Sequence, residues 1–270
     1  MMHLPGYFAA LLIGVSLGLI GGGGSILTMP VMVYLFGVSP VAAVTYSLFV
    51  VGVTSLAGAT QQYKQGTVNV RMALLFTATS AIIVFLTRNW LMPAIPEHIA
   101  TVQYFVITEG WLTMVLFALL MLVSSVFMMR TPSAYTDKVV KGKASITQMV
   151  FLAAGVGLVT GLLGAGGGFL LIPALVLLLG LPMREAIGTS LLIIALNSLV
   201  GFAGSIRDVA VDWRLLLIVT LLAVAGIVPG GYLNAKIPAA MLKKAFGWFV
   251  LVMGMYILIR ELAKIPIGSR

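Results

Sequence analysis

The chain has 270 residues, of which 61% are hydrophobic and 9% charged, and 16 Lys and Arg set against 7 Asp and Glu leave a net charge of +9. A soluble domain carries roughly 25% charged residues, so these proportions exclude a soluble globular protein and favour membrane-embedded helices, which satisfy their own backbone groups in lipid. The absence of Cys excludes a disulfide scaffold and thiol chemistry, and the basic surplus reads as cytoplasmic loops, not as a nucleic-acid surface.

Apolar runs of about 20 residues predict eight hydrophobic segments, near 7–36, 40–60, 70–92, 102–129, 147–181, 184–205, 214–234 and 240–260. The expected fold is an all-α polytopic membrane protein. The first segment is too long for one straight crossing and is broken by Gly21-Gly22-Gly23-Gly24. Each Gly in a helix interior costs about 1 kcal/mol relative to Ala, so the chain unwinds there. Ser25 follows as an N-cap candidate, and Thr28 sits one turn later. The chain start lacks the charged n-region of a signal peptide. The second segment and its end carry Thr45, Tyr46, Ser47, Thr54, Ser55, Thr60, Gln61 and Gln62. In the fourth, Glu109 lies beside Trp111 and is expected at a membrane interface. The stretch Arg130–Lys143 is the most hydrophilic and reads as a cytoplasmic loop. The fifth segment repeats the anomaly of the first, broken by Gly164-Ala165-Gly166-Gly167-Gly168. The sixth carries Thr189, Ser190, Asn197, Ser198 and Ser205. His3 and His98 are isolated near predicted segment ends, so no metal is expected.

Shifting the chain by 143 residues aligns Gly18–Arg71 with Gly161–Arg214 without a gap, and 18 of these 54 positions are identical. The identities include Gly21/Gly164, Pro30/Pro173, Gly37/Gly180, Ser47/Ser190, Ser55/Ser198 and Arg71/Arg214. The chain is thus read as two homologous repeats of four segments, 1–129 and 147–270, joined by a cytoplasmic linker at 130–146. Two topologies remain open. If every segment crosses, the two faces hold eleven and five basic residues. If the glycine segments are re-entrant hairpins, the repeats are inverted and the split is nine against six, leaving Arg184 aside. Seven to eight transmembrane helices, or hairpins in place of two of them, satisfy the pattern.

A glycine run before a helix start presents unpaired backbone N–H groups at the positive end of the helix dipole, which makes an anion site without a charged side chain. Matched interrupted segments in two repeats also mark transporter binding sites. The candidate substrate-binding residues are Gly22, Gly23, Gly24, Ser25, Thr28 and Ser47 from the first repeat. From the second they are Ala165, Gly166, Gly167, Gly168, Thr189, Ser190 and Asn197. The competing use of the glycines is close helix packing. Paired carboxylates, a His cluster and a nucleotide-binding Lys are all missing, so neither an enzyme nor an ATP-driven pump is expected, and no cofactor.

The pattern G-L-I-G-G-G-G-S-I-L-T-M-P, repeated as G-L-L-G-A-G-G-G-F-L-L-I-P, resembles the TauE/SafE family, also called the toluene-sulfonate uptake permease family. Ala186–Leu191, Ala210–Trp213 and Gly226–Gly231 extend the resemblance over nearly the whole chain. It implies a secondary transporter of a small sulfur anion, such as sulfite or an organosulfonate, in a bacterial plasma membrane. An anion channel and a non-transporting membrane subunit are the alternatives. Direction of transport, a proton or sodium coupling ion and homo-oligomerisation are left open by the residues.

Overall fold

The computed structural model describes residues 4–22, 25–91, 98–102, 105–130, 146–163, 168–206 and 210–263. Helix α1 (Leu4–Ile20) stops at Gly21, whose φ of 74° falls in the left-handed region that only glycine enters freely. The next helix, α2 (Ser25–Tyr34), runs back along α1. Just past its end, the Phe36 ring lies 2.7 Å from where a Cβ on Gly6 would sit and 5.5 Å from the Tyr7 ring. A chain that left Gly6 has returned to it, so the first glycine run is the tip of a helical hairpin. The second half repeats the figure with α6 (Ile146–Leu163), α7 (Gly168–Pro173) and a π-helical turn at Ala174–Leu178. Both return limbs end alike. Val38 N donates to Met32 O and Leu181 N to Leu175 O, around Gly37 and Gly180 at φ 69° and 68°. Each closing bond reaches back six positions over a left-handed glycine, one position further than the Schellman bond.

The longer helices of the first half are α3 (Pro40–Lys64), α4 (Val70–Leu86, continued by a π-helical turn at Thr87–Leu91) and α5 (Glu109–Arg130). Those of the second are α8 (Met183–Ser205), α9 (Trp213–Lys236) and α10 (Ala239–Leu262). Among the described residues, four helices are long and apolar enough to cross a membrane by length and composition, and shorter apolar helices accompany them. Large apolar side chains such as Phe85, Phe151, Leu221 and Ile259 stand outward, as a surface against lipid requires. One expectation fails. The fourth segment is not a single helix over 102–129, because Phe105–Thr108 pairs antiparallel with His98–Val102 and the helix starts only at Glu109. The β-branched run Val106-Ile107-Thr108 favours a strand, and among the described residues the fold is helical apart from this strand pair.

Contacts at glycines fix the directions of the helices. Added Cβ atoms on Gly52, Gly58 and Gly201 would meet Leu199, Leu191 and Leu48 within 3.4 Å, so α3 and α8 are antiparallel. Gly14 lies on Ala223, Gly18 on Ile227 and Gly230 on Val15, so α1 and α9 are parallel. Gly157 lies on Ser80 and Ile83, which repeats the Gly14–Ala223 contact 143 residues on and pairs α6 with α4. Gly247 on Met129 and Gly254 on Met121 make α5 and α10 antiparallel. The capping bonds match too. Asn69 and Asp212, counterparts in the repeat, cap α4 and α9 by accepting from Met72 N and Leu215 N. Each also donates its own N–H to a hydroxyl of the other half, Thr189 Oγ1 and Tyr46 OH.

Candidate functional site

The two hairpin tips meet. A Cβ on Gly22 would collide with the Gly168 carbonyl and stand 3.0 Å from Ile194 Cδ1. From the other side, a Cβ on Gly168 would lie 2.9 Å from Ser25 Oγ and 2.9 Å from the same Ile194 methyl. Only residues without a side chain let two backbones approach so closely. Gly21 faces Ser190 Oγ, Ile172 and Ile187 at 3.1–3.3 Å. Gly22, Ser25, Gly168 and Ser190 are therefore gathered in one place, beside the middle of α8. Gly23, Gly24, Ala165, Gly166 and Gly167 lie outside the described residues.

An anion needs donors, so the hydroxyl protons have to be followed one by one. Ser25 is not the N-cap that its position suggests. It is the first residue of α2, and its Oγ donates to Gly22 O at 2.7 Å, closing the turn. Ser190 likewise donates to Ile187 O at 2.9 Å within its own helix. Asn197 is half-buried and donates to Ser80 Oγ at 3.1 Å, which ties α8 to α4 and leaves one amide proton. Thr189 is fully buried and accepts from Asn69 N at 3.0 Å, so its proton is not engaged there. Ser47 is half-buried on α3. Thr28 is fully buried, and its hydroxyl has no partner among the described residues.

Two features were not anticipated, one of them beside the tips. Asn234, 1% exposed, donates to Leu19 O at 2.8 Å and so satisfies a carbonyl in the last turn of α1. Gln62 reaches Asn234 Oδ1 at 3.5 Å, and Thr67 donates to Gln62 Oε1 at 2.7 Å. A lone amide near the end of an apolar helix was the available signal for Asn234. Towards the opposite end of α3, Phe49 lies tilted at 54° against Phe202 with centroids 4.8 Å apart, and Trp213 sets its edge to both at 6.2 and 6.4 Å. One end of the central helix pair is thus polar and hydrogen-bonded, and the other aromatic.

Comparison with known proteins places this geometry. The family described as "Sulfite exporter TauE/SafE" matches residues 7–260. A protein of Xylella fastidiosa strain 9a5c, described as a probable membrane transporter protein, is 30% identical over 264 residues covering 94% of each chain. The probable membrane transporter protein YdhB of Bacillus subtilis is 27% identical over 247 residues, covering 92% of this chain and 96% of its own. No solved structure matches.

Proposed function

The chain belongs to the sulfite exporter TauE/SafE family, which is a family of membrane transporters and not of enzymes, and we propose that it carries a small sulfur-containing anion such as sulfite or an organosulfonate by secondary transport. The observation that carries this reading is the meeting of Gly22 with Gly168 at the hairpin tips. Backbone unwound at membrane depth is tolerated only where it is buried in protein or lines a cavity, and such breaks are where carriers bind their ions and substrates. The anion sits at the tips, within reach of Gly22–Ser25, Thr28, Ala165–Gly168, Ser47, Thr189, Ser190 and Asn197. Its donors are backbone N–H groups, hydroxyls and one amide, with no buried cation among the described residues to hold the ligand too tightly. The tilted and edge-on packing of Phe49, Phe202 and Trp213 supports a closed aromatic end, with substrate reaching the tips from the polar end.

In this reading the glycine segments re-enter and do not cross. Helices α3, α4, α5, α8, α9 and α10 span the membrane, and the repeats 1–129 and 147–270 are inverted, which agrees with the antiparallel α3 and α8. Among the described residues, the face at the end of α5 holds Lys64, Arg71, Arg130, Arg184, Lys236, Lys243 and Lys244, while the other holds Arg88, Arg214 and Arg260. Arg184 joins the first group because its guanidinium donates to Ala235 O and Ile237 O at the end of α9. Seven basic residues against three support a cytoplasmic orientation of that face in a bacterial-type plasma membrane.

Purified protein in liposomes should take up labelled sulfite or a short sulfonate with saturation, and should show counterflow against unlabelled substrate. Flux that rises without saturation would instead make it a channel. Absence of any anion flux would reduce it to a non-transporting subunit.

A further inference from the structure

We propose that two buried hydroxyls, Ser55 of α3 and Thr28 of α2, are the side-chain donors that bind the oxygens of the transported oxyanion. This rests on the transporter reading above and adds Ser55, a residue outside the motif-based site. The serines closest to the tips are unsuited to the task, since Ser25 and Ser190 donate their protons to Gly22 O and Ile187 O. Ser55 and Thr28 differ. Both are fully buried, and neither hydroxyl has a partner among the described residues. In a membrane-embedded helix a Ser or Thr hydroxyl ordinarily bonds back to a carbonyl one turn earlier or across to another helix. A hydroxyl doing neither stands ready for a ligand.

Placement connects both residues to the tips. The pairs Gly52–Leu199 and Gly58–Leu191 bracket Ser55 on α3 and set it opposite Ile194 on α8. The Ile194 methyl is the atom packed between Gly22 and Gly168. Thr28 lies three residues beyond Ser25, and residues three apart share a helix face. The Ser25 face is the one turned towards Gly168, so Thr28 points along the same side. Three other hydroxyls without partners are less apt: Thr77 is only half-buried, and Thr54 and Ser125 have other settings. Thr54 is the counterpart of Asn197, and Ala223 stands where Ser80 would have answered it, so a lost pairing explains Thr54. Ser125 faces α10 near Gly247, away from the tips. The second repeat has Leu171 at the position of Thr28, so the donors come mainly from the first.

Thermal unfolding of the purified full chain, titrated with sodium sulfite and sodium methanesulfonate, tests this. Thr28→Val and Ser55→Ala should unfold at the same temperature as the parent or higher without ligand, because each removes an unpaired buried polar group. Both should lose at least tenfold in apparent affinity. Thr28→Ser, which keeps the hydroxyl, should stay within about threefold of the parent by the same reasoning about a retained donor. Ser125→Ala, the matched control, should keep the affinity. Lower ligand-free stability in Ser55→Ala would show that the hydroxyl already has a partner, and would overturn the proposal. So would unchanged affinity in both variants, or equal losses in Thr28→Ser or Ser125→Ala. A parent chain stabilised by neither anion overturns the transported-anion reading itself, whereas a responsive parent with unaffected variants overturns only the assignment of Ser55 and Thr28.

Discussion

The α1–α9 and α6–α4 pairs occupy equivalent places in the two halves, yet they are held by different means. Between α1 and α9, Gly14 and Gly18 face Gly226 and Gly230, four residues apart on each side, and backbone lies on backbone. A Cβ on Gly14 would collide with Ala223 O, one on Gly226 with Leu11 O, and one on Gly18 would come to 2.5 Å from Ile227 O. The counterparts of Gly226 and Gly230 in α4 are Ile83 and Thr87. That pair keeps one close approach, with Ser80 O 2.8 Å from the Cβ position on Gly157, and adds the side-chain bond from Asn197 to Ser80. Duplication preserved the alignment of the helices and not the chemistry. The first pair gains from dispersion along a bare interface, as small residues allow in lipid where no hydrophobic drive joins helices. The second depends on bulkier side chains and a polar link.

The largest effect that would break this contrast lies at Gly14. Gly14→Ala should cost about 2–3 kcal/mol of stability, since two helix backbones must separate. Gly157→Ala should cost about 1 kcal/mol or less, because the gain in helix propensity offsets a milder clash. Thermal unfolding in detergent checks both, and equal costs would remove the difference between the pairs. A second test contrasts the tips, where Gly22 corresponds to Ala165 in the other half. Gly22→Ala should reduce uptake by about tenfold or more, worth ~1.4 kcal/mol at the site, while a fluorescence-detected sizing profile shows normal insertion. Ala165→Gly should leave uptake nearly unchanged. Smaller again, Asn197→Ala should lower stability by about 1 kcal/mol through the lost bond to Ser80. Smallest of all, Ala223→Ser should give Thr54 the partner that its counterpart already has and raise stability by about 0.6 kcal/mol. A fall in the unfolding temperature of Ala223→Ser would mean that the α1–α9 interface has no room for an oxygen.

Much of this was legible in the residues. Glycine runs on an apolar background located both breaks, and the repeat offset of 143 relates contacts that only the structure shows, such as Asn69 with Thr189 and Asp212 with Tyr46. What stayed hidden was direction. A broken segment that crosses and one that turns back have the same composition, and only the return of Phe36 to Gly6 separates them. The strand pair before α5 escaped because a short apolar β-branched run reads equally as a helix start. Hydroxyl chemistry was hidden for a similar reason. Whether Ser25 caps a helix, donates back to Gly22 O or faces a ligand depends on a single rotamer, and spacing says nothing about rotamers.

The antiparallel pairing of α3 with α8 bears on ancestry. Two copies of one half-length chain could have assembled this way only if that ancestor inserted in both orientations, with no charge bias to choose between them. Under the inverted topology proposed above, Arg71 and Arg214, basic at equivalent positions, fall on opposite faces, where their votes cancel. Arg184 has Val41 as its counterpart and breaks the tie. Under that same topology, an unmatched basic residue is what gives a chain of two opposed halves a single preferred orientation.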